Sequence, residues 1–141
     1  MLEIIAPPRG TDAHGSGEYG APRGSRLHNG EDFGAYPGSV VKALTGGELI
    51  KIGYPYNPND QKKGHLRYVR FRHGSWTIDY FYVGTKLTPG TVVEKGDPIG
   101  WVQNLMEIYP GMTNHIHFQC KRGGDFVNPQ ELFTAIKQGD L

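Results

Sequence analysis

Two histidines stand one residue apart near the C-terminal end of the chain, in the segment "NHIHFQC" at 114–120. The segment predicts a β-strand, in which side chains alternate between the two faces, so His115 and His117 should point to the same side. A hydrophobic core does not require two imidazoles on one face, whereas a metal ion bound to a strand does. The spacing therefore predicts a metal site.

A second pair of candidate metal-binding side chains, His28 and Asp32, lies in "LHNGEDFG" at 27–34. The Asn29-Gly30 turn between them can bring an imidazole and a carboxylate together. Two histidines and one carboxylate are a common ligand set for catalytic zinc, with the fourth position left for water. Bound zinc lowers the pKa of that water toward about 7 and polarises a carbonyl group. The residues alone leave open which histidines bind the metal and which act on a substrate.

The composition limits the classes of protein to which the chain can belong. Its 141 residues include 21 glycines and 10 prolines, with 37% hydrophobic residues, which favours one domain of short strands and tight turns. A formal net charge of +1 gives no indication of nucleic acid as a partner. No apolar stretch reaches the roughly 20 residues that membrane insertion requires. The single cysteine, Cys120, excludes an intrachain disulfide framework.

The elements that must position these side chains are mostly strands. We predict an extended lead-in with turns at 1–27, hairpins at 39–54 and 66–84, a strand pair at 91–102, and long loops at 54–65 and 103–114. The first hairpin turns at Gly46-Gly47, and the alternation of the second hairpin continues to Tyr82. A helix is predicted at 128–139, with Asn128 as its N-cap and an apolar stripe of Leu132, Phe133 and Ile136.

Taken together, these motifs resemble the lysostaphin-type (LytM-like) zinc metalloendopeptidases, which cut peptides of bacterial peptidoglycan. The H-x-x-x-D motif of that family matches 28–32, its V-x-x-G-x-x-I-G motif matches 93–100, and its H-x-H motif matches 115–117 with "VNP" following at 127–129. The resemblance covers about residues 16–130. It implies a mainly antiparallel β-sheet domain, of the lysostaphin-type peptidase and duplicated hybrid motif kind, with a short C-terminal helix.

The resemblance also implies a role for each candidate residue. His28, Asp32 and His117 would hold Zn²⁺, and His115 would be catalytic beside it. The family's Y-x-H-L motif is "YFYV" at 80–83 in this chain, so Tyr82 replaces one catalytic histidine, similar to the leukocyte cell-derived chemotaxin branch, which is not known for hydrolysis. A tyrosine hydroxyl at this position can donate a hydrogen bond to an oxyanion, and the alternative role for Tyr82 is packing alone.

The expected organisation is an extended lead-in at 1–15 followed by a zinc peptidase-like β-domain at 16–141. The expected function is that of a zinc-dependent endopeptidase, a peptidoglycan hydrolase, with Tyr54, Tyr56 and Tyr109 of the two long loops lining the substrate groove. The alternative is a catalytically inactive, zinc-containing binding or structural module of the same fold.

The N-terminal segment "MLEIIAPPRG" has no recognisable signal peptide. We therefore expect a protein made in the cytoplasm that reaches the cell wall on lysis or on a phage particle, as a lysin or tail-associated protein. Its expected partners are peptidoglycan and other virion or baseplate proteins.

Overall fold

A computed structural model of the 141-residue chain describes residues 9–12, 15–23, 26–27 and 29–141. Within these residues the chain forms short strands and one helix, and all strand pairs are antiparallel, which confirms the predicted fold class. The elements are β1 Thr11–Asp12, β2 Gly15–Ser16, β3 Pro22–Arg23, β4 Arg26–Leu27, β5 Glu31–Gly34, β6 Val40–Lys42, β7 Gly47–Gly53, β8 Tyr68–His73, β9 Trp76–Phe81, β10 Val83–Gly84, β11 Val92–Val93, β12 Pro98–Val102, β13 His115–Arg122, β14 Asp125–Val127 and α1 Pro129–Lys137. In the described part of the chain, no helix has the length and apolar character that crossing a bilayer demands.

The main sheet has seven strands, in the order β11-β7-β8-β9-β13-β14, with β5 also paired to β13. The long strand β13 has β9 along one edge, while β5 and β14 share its other edge. Residues 116, 118 and 120 of β13 are buried in the core, so the alternate residues His115, His117 and Gln119 share the opposite face. The predicted common face of the two histidines is therefore present.

A second, three-stranded sheet has the order β10-β12-β6. The predicted hairpin at 39–54 is wrong, because β6 belongs to this sheet whereas β7 belongs to the main sheet. The chain changes sheets at Gly46-Gly47, where the backbone passes close to a neighbouring strand. A Cβ atom at Gly47 would lie 2.8 Å from the carbonyl oxygen of Arg72, so a side chain does not fit there. The two glycines thus mark a crossing between sheets.

The predicted hairpin at 66–84 forms as β8 and β9, but the alternation ends at Phe81. Tyr82 has a φ of 67°, in the left-handed region that bulky residues rarely adopt. The backbone N–H groups of Tyr82 and Val83 both donate to the carbonyl oxygen of Arg67, and the chain then joins the second sheet as β10. Tyr82 therefore stands at a kink between the two sheets, and it does not continue the strand.

The core draws residues from both sheets and from the helix. Asn128 caps α1 by accepting a hydrogen bond from the backbone N–H of Gln130, as predicted, and the predicted apolar stripe is buried. Phe133 of that stripe packs against Phe33 of β5 and Phe118 of β13, with ring centroids 5.7 and 5.5 Å apart. The helix therefore supports the two strands that carry the candidate site.

Candidate functional site

Asp32 and His117 are direct cross-strand partners in the pairing of β5 with β13. Their side chains meet above the sheet, with Oδ1 of Asp32 3.0 Å from Nδ1 of His117. His115 lies beside them, and its Nε2 is 3.5 Å from Oδ2 of the same carboxylate. Three of the five residues predicted to bind metal or to be catalytic, Asp32, His115 and His117, thus lie together, although Asp32 and His117 are 85 positions apart in the sequence.

The tautomer of His117 follows from its second ring nitrogen. Nε2 lies 2.8 Å from Oε1 of Gln119, an amide oxygen that only accepts hydrogen bonds, so Nε2 is the donor. In the neutral ring, Nδ1 then presents a lone pair to Oδ1 of Asp32, and two acceptors at 3.0 Å require a proton or a cation between them. Ligands of a tetrahedral zinc ion with bonds of about 2.0 Å lie about 3.3 Å apart. The carboxylate oxygen and the imidazole nitrogen are suitable zinc ligands, and their separation of 3.0 Å needs to increase only slightly to hold the ion.

Gly30 makes room for the imidazole of His117. A Cβ atom at this position would lie 2.8 Å from Cε1 and 2.9 Å from Nε2 of His117, and it would also overlap the carbonyl oxygen of Phe118. The glycine in "HNGED" is therefore needed for close approach of the turn to the histidine, in addition to any role in the turn itself.

The third predicted zinc ligand, His28, lies outside the described residues. Among the residues that the structure describes, no group of three or more His, Cys, Asp or Glu side chains forms a metal cluster. Asp32 and His117 fit two positions of a His-Asp-His set. A zinc ion bound there would supply Lewis-acid activation of a carbonyl group and of water.

Arg9 enters the site from the predicted lead-in. Its side chain is 2% exposed, and its Nη1 donates to Oδ2 of Asp32 at 2.8 Å. The backbone supports this contact, because the N–H of Arg9 donates to the carbonyl oxygen of Asp32 and the N–H of Asp32 donates to that of Gly17. Arg9 thus holds one oxygen of the carboxylate while the other oxygen faces His117.

His115 is oriented as a proton acceptor. Its Nδ1 donates to the carbonyl oxygen of Thr113 at 2.8 Å, which leaves Nε2 as the basic nitrogen on the side of Asp32. Burial lowers the pKa of His115, and the nearby Asp32 carboxylate opposes this effect without cancelling it. The imidazole is therefore neutral near pH 7 and able to take up a proton.

Three tyrosine hydroxyl groups form a cluster next to His115. The ring of Tyr82 meets the ring of His115 edge to face, with centroids 5.6 Å apart, and the neighbouring Tyr56 contributes to raising the pKa of Tyr82. The hydroxyl oxygens of Tyr56 and Tyr109 are 2.9 Å apart. Burial raises the pKa of Tyr82 well above its usual value and raises that of Tyr56 to about 12, so both hydroxyl groups keep their protons near neutral pH.

Two of the three predicted groove residues, Tyr56 and Tyr109, belong to this tyrosine cluster. Nζ of Lys63 lies over both of their rings, 5.0 and 5.2 Å from the centroids. Tyr54 is placed differently: it is half exposed, and the Arg67 guanidinium carbon lies 4.2 Å from its ring centroid. The two long loops therefore meet at Tyr56 and Tyr109, and Tyr54 lies at the surface.

Sequence patterns did not identify Arg9 and Gln119, which contact Asp32 and His117, or Asp79 and Arg70, which continue the hydrogen bonds beyond Gln119. Gln119 had a usable signal, because it follows His115 and His117 with the same period of two. Asp79 is an acidic residue inside the otherwise apolar strand "WTIDYF", which also distinguishes it. Arg9 has no local signal in its glycine- and proline-rich surroundings.

The chain is similar to known proteins in sequence and in fold. The family model described as Peptidase family M23 matches residues 26–129. Leukocyte cell-derived chemotaxin-2 of Bos taurus is 35% identical over 112 residues, which cover 79% of this chain and 71% of that protein.

Two solved bacterial structures share the fold. The protein cbpa from L. salivarius REN has a TM-score of 0.61 and 24% identity, covering 92% of this chain and 95% of its own. The catalytic domain of the antimicrobial peptidase lysostaphin from Staphylococcus simulans has a TM-score of 0.61 and 20% identity, covering 85% of this chain and 90% of its own.

Proposed function

The chain belongs to peptidase family M23, and on this premise we propose that it is a zinc-dependent endopeptidase acting on the peptides of bacterial peptidoglycan. The observation that carries the proposal is the facing pair of Oδ1 of Asp32 and Nδ1 of His117, which are spaced to share a proton or a metal cation. We propose His28 as the third ligand, as the family motif implies.

His115 acts as the proton carrier in this proposal. Its Nε2 takes a proton from the attacking water and later gives that proton to the leaving amine. The Thr113 carbonyl keeps Nδ1 as the donor, so the same nitrogen serves both transfers. No other histidine is placed at this carboxylate among the described residues, apart from the proposed ligand His117.

Tyr82 acts as a neutral hydrogen-bond donor to the oxyanion of the tetrahedral intermediate. Its buried hydroxyl keeps its proton well above neutral pH, which makes it a donor and unsuited to be a base. Tyr56 lies near enough to contribute to this raised pKa, so the proposed role requires the Tyr82 hydroxyl to direct its hydrogen to the carbonyl oxygen of the substrate.

Digestion of purified peptidoglycan tests the proposal. We expect the protein to release new amino groups from the cell-wall peptides, to lose this activity with a zinc chelator and to regain it with added zinc. His115→Ala should abolish the activity, whereas His65→Ala, which changes an exposed histidine, should leave it unchanged. Absence of amino-group release by the zinc-loaded protein on walls of several peptide types would overturn the proposed enzyme.

A second candidate function is an inactive zinc-containing binding module, which the presence of Tyr82 in place of the histidine of the family motif favours. Tyr82→His distinguishes the two functions, since it restores the family motif. Activity that appears only in Tyr82→His would support the binding module. Association with phage particles stays a prediction, which mass spectrometry of purified particles would test.

A further inference from the structure

A row of polar side chains crosses three strands of the main sheet next to His117. Gln119 of β13 pairs with Asp79 of β9, and Asp79 pairs with Arg70 of β8. Because these residues are register partners on the face that carries His117, their order is fixed by the backbone.

The hydrogen bonds of Arg70 and Gln119 converge on the carboxylate of Asp79. Nε and Nη2 of Arg70 donate to the two oxygens of Asp79 at 2.7 and 3.0 Å. Nε2 of Gln119 donates to Oδ2 of Asp79 at 3.1 Å. A carboxylate bonded to a guanidinium only accepts, so the amide nitrogen of Gln119 must face Asp79 and its oxygen must face His117.

Stability alone does not account for this arrangement. Asp79 is 3% exposed and lies in a strand whose neighbouring residues are mostly apolar. The Arg70 side chain is 27% exposed, so its pair with Asp79 is partly desolvated, and desolvation offsets much of what such a pair contributes to stability. The row does, however, determine the tautomer of a histidine that faces a carboxylate.

We propose that Gln119 is a positioning residue for the metal site: held by Asp79 and Arg70, it fixes His117 with hydrogen on Nε2 and directs the lone pair of Nδ1 to the metal. This inference rests on the proposed zinc function. Outer contacts of this kind typically change metal affinity by about 10- to 100-fold.

Zinc affinity, measured by competition with a chromogenic chelator, provides the first test. Gln119→Met keeps the length of the side chain and removes its acceptor, and we expect the dissociation constant for zinc to rise about 10- to 100-fold. Gln103→Met is the matched control, because it also deletes two side-chain hydrogen bonds, to the Arg67 N–H and the His65 carbonyl oxygen. The control should bind zinc like the wild type. Equal affinity in Gln119→Met and the wild type would overturn the proposal.

A double variant separates positioning from folding. In Gln119→Glu with Asp79→Asn, a carboxylate oxygen at position 119 still accepts from His117 and its other oxygen accepts from the new amide at position 79. Nη2 of Arg70 loses its acceptor but can turn to water because this side chain is 27% exposed, so zinc affinity should return to within about threefold of wild type. An affinity as low as that of Gln119→Met would mean that the acceptor at position 119 does not act through His117, and would overturn the proposal.

The tautomer itself provides a test that needs no metal. Nitrogen NMR of the metal-free wild type at about pH 8 should show hydrogen on Nε2 of His117, and Gln119→Met should shift the ring toward the other tautomer. A wild-type ring with no hydrogen on Nε2 would overturn the inference. A wild type that binds no zinc but shows the expected tautomer would instead remove the proposed enzyme and the metal part of this inference.

Discussion

Arg9 and Asp32 form a buried ion pair at 2.8 Å, although 23 positions separate them in the sequence. Both side chains are almost fully inaccessible, and Asp32 is the carboxylate around which His115 and His117 are arranged. The pair therefore links the N-terminal segment of the chain to the candidate metal site.

Removal of Arg9 should destabilise the fold. Arg9→Met leaves a buried carboxylate with one partner fewer, and loss of one member of a buried pair typically costs about 3 kcal/mol. Urea denaturation of the metal-free protein measures this change in the free energy of unfolding. Arg72→Met is the control, because the Arg72–Glu48 pair at 3.4 Å is exposed and should contribute under about 1 kcal/mol. Similar losses in the two variants would show that the Arg9 pair is not buried in solution.

Zinc should stabilise the folded protein, because ligands on β5 and β13 come together only in the native state. At a free zinc concentration 100 times the dissociation constant, the gain is about 2.7 kcal/mol. Thermal melts with zinc and with chelator should differ by several degrees for the wild type. In Asp32→Ala the two melting curves should coincide. Coinciding curves for the wild type would contradict the zinc site.

The hydroxyl of Tyr82 should matter for catalysis more than its ring does. Tyr82→Phe keeps the edge-to-face contact with His115 and deletes the donor, so we expect kcat to fall about 10²-fold or more with little change in zinc content. Tyr36→Phe, at an exposed tyrosine, serves as the control. An unimpaired Tyr82→Phe enzyme would assign Tyr82 to packing alone.

Alkaline pH should destabilise the protein through the tyrosine cluster. The pKa of Tyr56 is about 12 in the folded protein, against 10.0 for an ordinary tyrosine, mainly because of burial. The contribution of Tyr56 to the free energy of unfolding is fully present below pH 10, where its hydroxyl keeps the proton in both the folded and the unfolded chain. Between pH 10 and about 12 the unfolded chain releases that proton first, so the free energy of unfolding falls. Denaturation series across this range should show a smaller decline in Tyr56→Phe, and an unchanged decline would contradict the assignment.

The parts of the fold that follow a local period were predictable from the sequence. The alternation in β13 placed His115 and His117 on one face, and the cap and stripe of α1 located the helix. Such patterns depend only on neighbours within the same element.

The features that the sequence did not predict arise from contacts between distant segments. The crossing between sheets at Gly46-Gly47 depends on the backbone of Arg72, which passes close to Gly47. The kink at Tyr82 depends on the carbonyl group of Arg67, which accepts the hydrogen bonds of the kink. Arg9 reaches Asp32 through strand-like backbone pairing that no nearby residue signals. Local propensity contains none of this information.

The direct pairing of Asp32 with His117 has a consequence for engineering. Since the spacing of these two residues is set by the backbone hydrogen bonds of β5 and β13, substitution of the surface loops should leave it intact. In the proposed enzyme, residues 54–63 and 106–112 are then exchangeable cassettes that can be grafted from other members of the family to change which peptide is recognised. Leu105 and Asn114 have to stay because they are buried, and Thr113 has to stay because its carbonyl group orients His115. The hydrogen bond between Tyr56 and Tyr109 joins the two cassettes, so a successful graft would transfer both segments together.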